Sequence, residues 1–236
     1  MMNKEIRSME FEIRAEETGK EDRAGRLTGT PIVFNQVTDL GWIREVIEPE
    51  ALENTDLRDV RFLVGHDTSM IPLARSRNNN ANSTMQLSVT ERGMEIRVDL
   101  DIEGNPRAKE LYSAVKRGDI SGMSFMFTVD KDSWEDLESE QPLRRITSIS
   151  RVFEVSAVTF PAYEGTDLQA ADEAGALESV KAALESARAA AKEARDQEAE
   201  REAAESRERE AAAEAERRTA ILERLKKITE VSDDEV

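Results

Sequence analysis

Three side chains in this sequence have the types needed to break an acyl bond by nucleophilic attack. The first is His66, the only histidine, in "FLVGHDTSMIPLARS", directly after an apolar run and beside Gly65. The second is Ser124, a lone hydroxyl inside the β-prone run "GMSFMF". The third is Glu154, the one acid in "RVFEVSAVTFPAY". A serine becomes a nucleophile when a base within hydrogen-bond reach takes its proton and a third group orients that base. Any serine–histidine chemistry here must use His66, since no other imidazole exists. Read singly, each residue has a plainer role: a loop histidine, a small residue tolerated in a strand, a carboxylate paired with Arg144, Arg145 or Arg151 or left on a wet face. Alternation puts Val152, Glu154 and Ser156 on one face and Phe153, Val155 and Ala157 on the other, so it does not by itself bury Glu154. With no cysteine, a thiolate zinc site and a cysteine nucleophile are excluded, and with one histidine besides no cofactor or metal is expected.

These residues need elements to hold them. "MEFEIRAE" alternates as a half-wet strand, and "RLTGTPIVFNQ" reads as a strand after a Gly29–Thr30–Pro31 break. "GWIREVIEP" and "DVRFLVGHD" are short strands, with "PEALENT" a helical turn after the first. "STMQLSVTERGMEIRVDLD" predicts two strands around Glu91–Arg92–Gly93. A helix is expected from the cap Asn105 and Pro106, with Ala108, Leu111, Tyr112 and Val115 on its apolar face and Arg117–Gly118 closing it. "SGMSFMFTVD", "RRITSIS" and "RVFEVSAVTF" are three further strands. Many short strands with few helices predict a mainly β (α+β) fold whose architecture is a closed or partly closed barrel.

The composition divides the chain. Every Phe, Trp, Tyr and Pro lies before Glu164, and after Gly175 Ala, Glu and Arg dominate. From about Asp172 to Glu230 the propensity is helical, and about 55 residues at 1.5 Å each would reach roughly 80 Å. Leu177, Val180 and Leu184 near its start, and Ile221, Leu222, Leu225 and Ile228 near its end, are its apolar patches. It reads as a solvated rod or weak coiled coil. The expected division is residues 1–27 as an N-terminal strand region on the barrel, 28–168 as the barrel domain, and 169–236 as linker and charged helix. The net charge of −17 disfavours nucleic-acid binding. No apolar run is long enough to span a bilayer, and "MMNKEIRSMEFEIRAEE" has no signal-peptide core, so a cytosolic location and no membrane contact are expected.

Taken together, "EVIEPEAL", "LVGHDTS…PLARS", "VKRGDISGMSFMF" and "RVFEVSAVTFPAY" resemble the prohead (capsid maturation) serine proteases of tailed bacteriophages, over about Thr28 to Asp167. That family looks distantly related to the assemblin-type herpesvirus proteases, and by that analogy the barrel would be an assemblin-like β-barrel with flanking short helices. The resemblance implies Ser124 as nucleophile, His66 as base and Glu154 as the third member. It implies an endopeptidase acting in the host cytoplasm inside the procapsid shell, on scaffold protein or the scaffolding arm of the major capsid protein, and on itself. Backbone amides near Ser124 or the Arg144–Arg145 loop are the oxyanion donors to consider, and Asp67 and Glu45 read as solvated or salt-bridged. A homo-oligomer is left open, as is whether the rod is scaffold, targeting signal or self-cleavage substrate. The alternative is a catalytically inert helical scaffolding or assembly protein of the procapsid.

Overall fold

The computed structural model describes residues 4–9, 13–16, 25–159 and 173–233. Among the described residues, eleven strands precede the long helix. They are β1 (Glu5–Met9), β2 (Ile13–Glu16), β3 (Gly25–Val33), β4 (Thr38–Asp39), β5 (Arg44–Ile47), β6 (Arg61–Val64), β7 (Ala74–Arg75), β8 (Met85–Thr90), β9 (Gly93–Leu100), β10 (Gly122–Glu135) and β11 (Leu143–Val158). A 3₁₀ turn covers Pro49–Leu52, and the helices are α1 (Pro106–Arg117) and α2 (Glu173–Asp233). Phe11 of the expected "MEFEIRAE" strand lies outside the described residues.

The described strands do not close into a barrel. The strands form a seven-stranded sheet, in which β1, β10, β11, β5 and β4 are successive neighbours, β6 attaches to β11 and β7 to β6, and a four-stranded sheet ordered β2-β3-β9-β8. The reason lies in β11. The expected "RRITSIS" and "RVFEVSAVTF" strands are one 16-residue strand, whose free edge is shared by two short parallel partners. Residues 143–146 pair with β5, and 154–157 pair with β6. Short strands on a long one complete an edge locally without carrying a ladder round to the second sheet. Instead the sheets meet through isolated bonds, Ile13 N to Ser121 O (3.2 Å) and Thr84 N to Arg75 O (3.0 Å).

Both sheets contribute to one core that includes Leu27, Ile32, Phe62, Met94, Phe125, Phe127 and Val155. α1 closes over it with Ala108, Leu111 and Val115. Its ends follow its sequence: the Asn105 side chain accepts from the Arg107 and Ala108 amides, and Gly118 takes the left-handed conformation (φ 80°). The β8–β9 turn needs Gly93, where a Cβ would stand 1.9 Å from the Ile32 carbonyl oxygen at φ +148°.

The chain divides into two units, Met1–Leu184 and Glu185–Val236. The first includes the start of α2, where Val180 and Leu184 are buried with Ile43 and pack against Leu40, Trp42, Trp134 and Leu137. In the second, α2 continues to Asp233, with every residue from Glu185 to Leu222 exposed except the half-buried Ala187 and Ala191. No helix among the described residues is long and apolar enough to cross a membrane.

Candidate active site

The site is built on neighbouring strands of the larger sheet. In the antiparallel β10–β11 pair, Ser124 stands opposite Ser156. Met123, Phe125 and Phe127 point into the core, so alternation puts Ser124 on the other face of the sheet. Ser156 shares that face, and so does Glu154 two residues earlier on β11. Directly opposed side chains in such a pair have Cβ atoms about 4.5–5.5 Å apart. β6 lies parallel to β11 with Leu63 opposite Ser156 and Val64 opposite Ala157. The chain then turns through two consecutive left-handed residues, Gly65 (φ 58°) and His66 (φ 59°). Such a φ is uncommon for a residue with a side chain, and it brings His66 back against β11. Two bonds hold the turn there: Gly65 N donates to Ala157 O (3.0 Å), and His66 N donates to Ser156 Oγ (3.1 Å).

The side chains then meet. His66 Nδ1 lies 2.6 Å from Glu154 Oε1. Ser156 Oγ donates to the other carboxylate oxygen, Oε2, at 2.6 Å. The carboxylate is buried, and two partners satisfy its oxygens, which is what a charge in such a place requires. A carboxylate facing Nδ1 favours the tautomer with the ring proton on that nitrogen and the lone pair on Nε2. His66 Nε2 is buried and has no hydrogen-bond partner among the described residues. Ser124 is fully buried, and its Oγ donates to the backbone carbonyl of Arg7 at 2.7 Å.

Of the three residues singled out in the sequence, His66 and Glu154 are in direct contact, and Ser124 lies on the adjacent strand with its hydroxyl bonded to Arg7 O. Ser156 carried no mark of its own in the sequence beyond its shared face with Glu154. It is the residue that ties the carboxylate to the His66 backbone.

The charged residues near the motifs are engaged elsewhere. Glu45 is buried and accepts from Arg7 (Nε to Oε1, 2.5 Å; Nη2 to Oε2, 2.7 Å) and from Arg144 (3.1 Å). Arg144 also donates to Glu5 (2.7 and 3.0 Å) and Asp132 (2.6 Å), and Arg145 to Glu135 and Glu48. Neither guanidinium is therefore available as an oxyanion donor, and both belong to β11 rather than to a loop. Asp67 accepts from Ser69 N and Oγ within its own turn. Beside the His66 turn, Leu63, Val64, Met70, Leu73, Leu111 and Ile120 contribute to a hollow of about 350 Å³.

The model of the caudovirus prohead serine protease family matches residues 9–181. The chain belongs to that family. It is also 27% identical over 175 residues to the prohead protease of Enterobacteria phage HK97, an alignment covering 73% of this chain and 70% of that protein. No solved structure matches. Family membership makes the chain a serine peptidase of phage prohead maturation, and the matched segment contains β2 to β11, α1 and the whole His66–Ser124–Glu154 constellation.

Proposed function

We propose that the chain is a prohead maturation endopeptidase in which Ser124 is the nucleophile, His66 the general base and Glu154 the residue that orients and stabilises the imidazole. Ser124 Oγ attacks a peptide carbonyl carbon as its proton passes to His66 Nε2. The same proton then goes to the leaving amine as the C–N bond breaks, and water repeats the sequence on the acyl-enzyme. Glu154 stays ionised throughout and offsets the charge of the transient imidazolium. The observation that carries this reading is the 2.6 Å contact between His66 Nδ1 and a buried carboxylate, which leaves Nε2 as the basic nitrogen. The hollow beside the His66 turn, lined largely by aliphatic side chains, supports an apolar substrate side chain near the cleaved bond.

The substrates that fit a prohead protease are scaffold segments, or the scaffolding arm of the capsid subunit, inside the procapsid. The chain itself is a further one: the exposed stretch from Glu185 to Leu222 is helical, and local fraying would open it to cleavage. The test compares wild type with Ser124→Ala by intact mass over time, alongside a fluorophosphonate probe whose adduct is mapped by peptide mass. Truncation and an adduct on the Ser124 peptide, both absent from the variant, are expected. An adduct on Ser156 would reassign the nucleophile. Two equally stable, unlabelled chains would instead favour an inert assembly protein.

A further inference from the structure

The Ser124 hydroxyl gives its proton to the wrong partner for catalysis. It bonds to the Arg7 carbonyl at 2.7 Å, while the buried Nε2 of His66 has no hydrogen-bond partner among the described residues. Arg7 belongs to β1, which lies antiparallel along β10 with Ser8 opposite Ser124 and Arg7 opposite Phe125. The other edge of β10 is filled by β11. A peptide that pairs with β10 to bring a carbonyl to Ser124 must therefore take the edge that β1 occupies. The two strands exclude one another, and with β1 in place Ser124 has no exposed surface.

We infer that β1 is an inhibitory strand: the resting chain holds its own N-terminal segment in the place of substrate, and turnover requires β1 to leave β10. Once the Arg7 carbonyl is gone, the Ser124 hydroxyl turns to His66 Nε2 and the relay closes. This rests on reading those two residues as nucleophile and base. The charges that hold β1 suit a removable strand. Arg7 bonds Glu45, and Glu5 bonds Arg144, all four side chains being buried. When β1 departs it takes one acid and one base. It leaves behind Glu45 and Arg144, already bonded to each other at 3.1 Å, with Asp132 on Arg144. Neither half is left with a lone buried charge, so release avoids the largest penalty of breaking such a cluster. The site then presents one carboxylate and one guanidinium to an incoming strand, which suits an extended peptide carrying an acid and an arginine two residues apart.

The chain has no cysteine, so a single engineered pair can pin β1. Ile6 and Met126 are direct antiparallel partners, and the full-length double variant Ile6→Cys, Met126→Cys places two thiols across β1 and β10. Fluorophosphonate labelling of Ser124 is followed with the pair oxidised and reduced. The expected result is loss of labelling on oxidation and recovery with a thiol reductant. Equal labelling in both states overturns the inhibitory strand while the serine hydrolase reading stands. Failure of the disulfide to form means β1 does not lie along β10 in solution, and overturns it too. Arg7→Met, which loosens the same strand without introducing thiols, is expected to label faster than wild type; an equal or slower rate in a folded variant counts against the inference. If wild type and every variant stay unlabelled, and wild type shows no self-cleavage, the assignment of Ser124 and His66 fails and this inference falls with it.

Discussion

At the residue scale, the proposed relay separates a group that would act on the imidazole, Glu154, from one that would act through the carboxylate, Ser156. Glu154→Gln keeps the shape but removes the charge opposite the imidazolium, and an amide can also present its NH₂ to Nδ1 and reverse the tautomer. Loss of about 10⁴-fold in turnover with an unchanged fold is expected, the scale seen when the acid of such a triad is neutralised. Ser156→Ala removes one hydrogen bond to the carboxylate and one from the His66 amide. A charged hydrogen bond contributes about 1.5–3 kcal/mol, so the loss should be roughly 10- to 100-fold. Ser156→Thr, which keeps the hydroxyl, should recover most of it. The check is single-turnover kinetics across pH: a positioning role for Ser156 predicts a displaced acid limb in the alanine variant, whereas simple loss of packing would leave the profile in place. His66, Ser124 and Glu154 were conspicuous as candidates because each is chemically unusual in its setting and lies in a run resembling the family's motifs. Ser156 was not, because one more serine in a strand looks like any other until β6 is seen to return beside it.

At the element scale, the Glu5–Arg7–Glu45–Arg144 cluster makes β1 sensitive to acid. Burial alone would raise the Glu45 carboxyl, but the charge and hydrogen bonds of Arg7, followed by those of Arg144, outweigh it and hold the carboxyl below its ordinary value. A carboxyl depressed in the folded state contributes stability that is complete above its unfolded value, roughly 4.3. That contribution is lost as pH falls through the folded value, because the unfolded chain binds the proton first. The melting temperature should therefore drop on going below about pH 4, near that reference value, with amide exchange in β1 rising ahead of the rest. Glu45→Gln should show a lower melting point at pH 7, by about 3–5 kcal/mol in stability, and a flatter acid limb. Parallel melts of the two proteins across pH decide it. Local signals made several of these elements readable in advance: α1 has its cap, its proline and its closing glycine, and β8–β9 has its turn. The signals failed where tertiary pairing overrides local pattern. Residues 5–9 carry two charges in five positions, and nothing local says that both would be buried. Nor does alternation reveal that β11 runs unbroken and shares one edge between β5 and β6, which is why the strand count suggested a barrel that does not close.

At the scale of the whole molecule, composition located the change from aromatic-rich to alanine-rich chain near 164–175, while the first folded unit continues to Leu184. The difference is physical. Val180 and Leu184 have helical neighbours much like the rest of the rod, but they cover Ile43 beside Trp42 and Trp134. That packing separates two truncations which the sequence would treat alike. A chain ending at Leu184 keeps both side chains, and should melt within a degree or two of the full chain, in keeping with loss of an exposed segment. A chain ending at Gly175 loses both, each contributing about 1.5–3 kcal/mol on burial, and should melt distinctly lower. The pair also isolates what residues 185–236 are for. Residues 185–222 present a charged surface, with Arg201 and Arg209 both near Glu205 at helical spacing, and Ile221 and Leu222 stand exposed. Such a segment contributes little to the fold and is suited to engaging helices of the assembling shell. The chain ending at Leu184 is thus expected to keep Ser124 labelling in solution but to be packaged poorly when co-expressed with capsid subunits. Counting protease copies per purified prohead checks this. Packaging equal to the full chain would show that delivery depends on residues 1–184 alone and would leave the charged rod as a substrate.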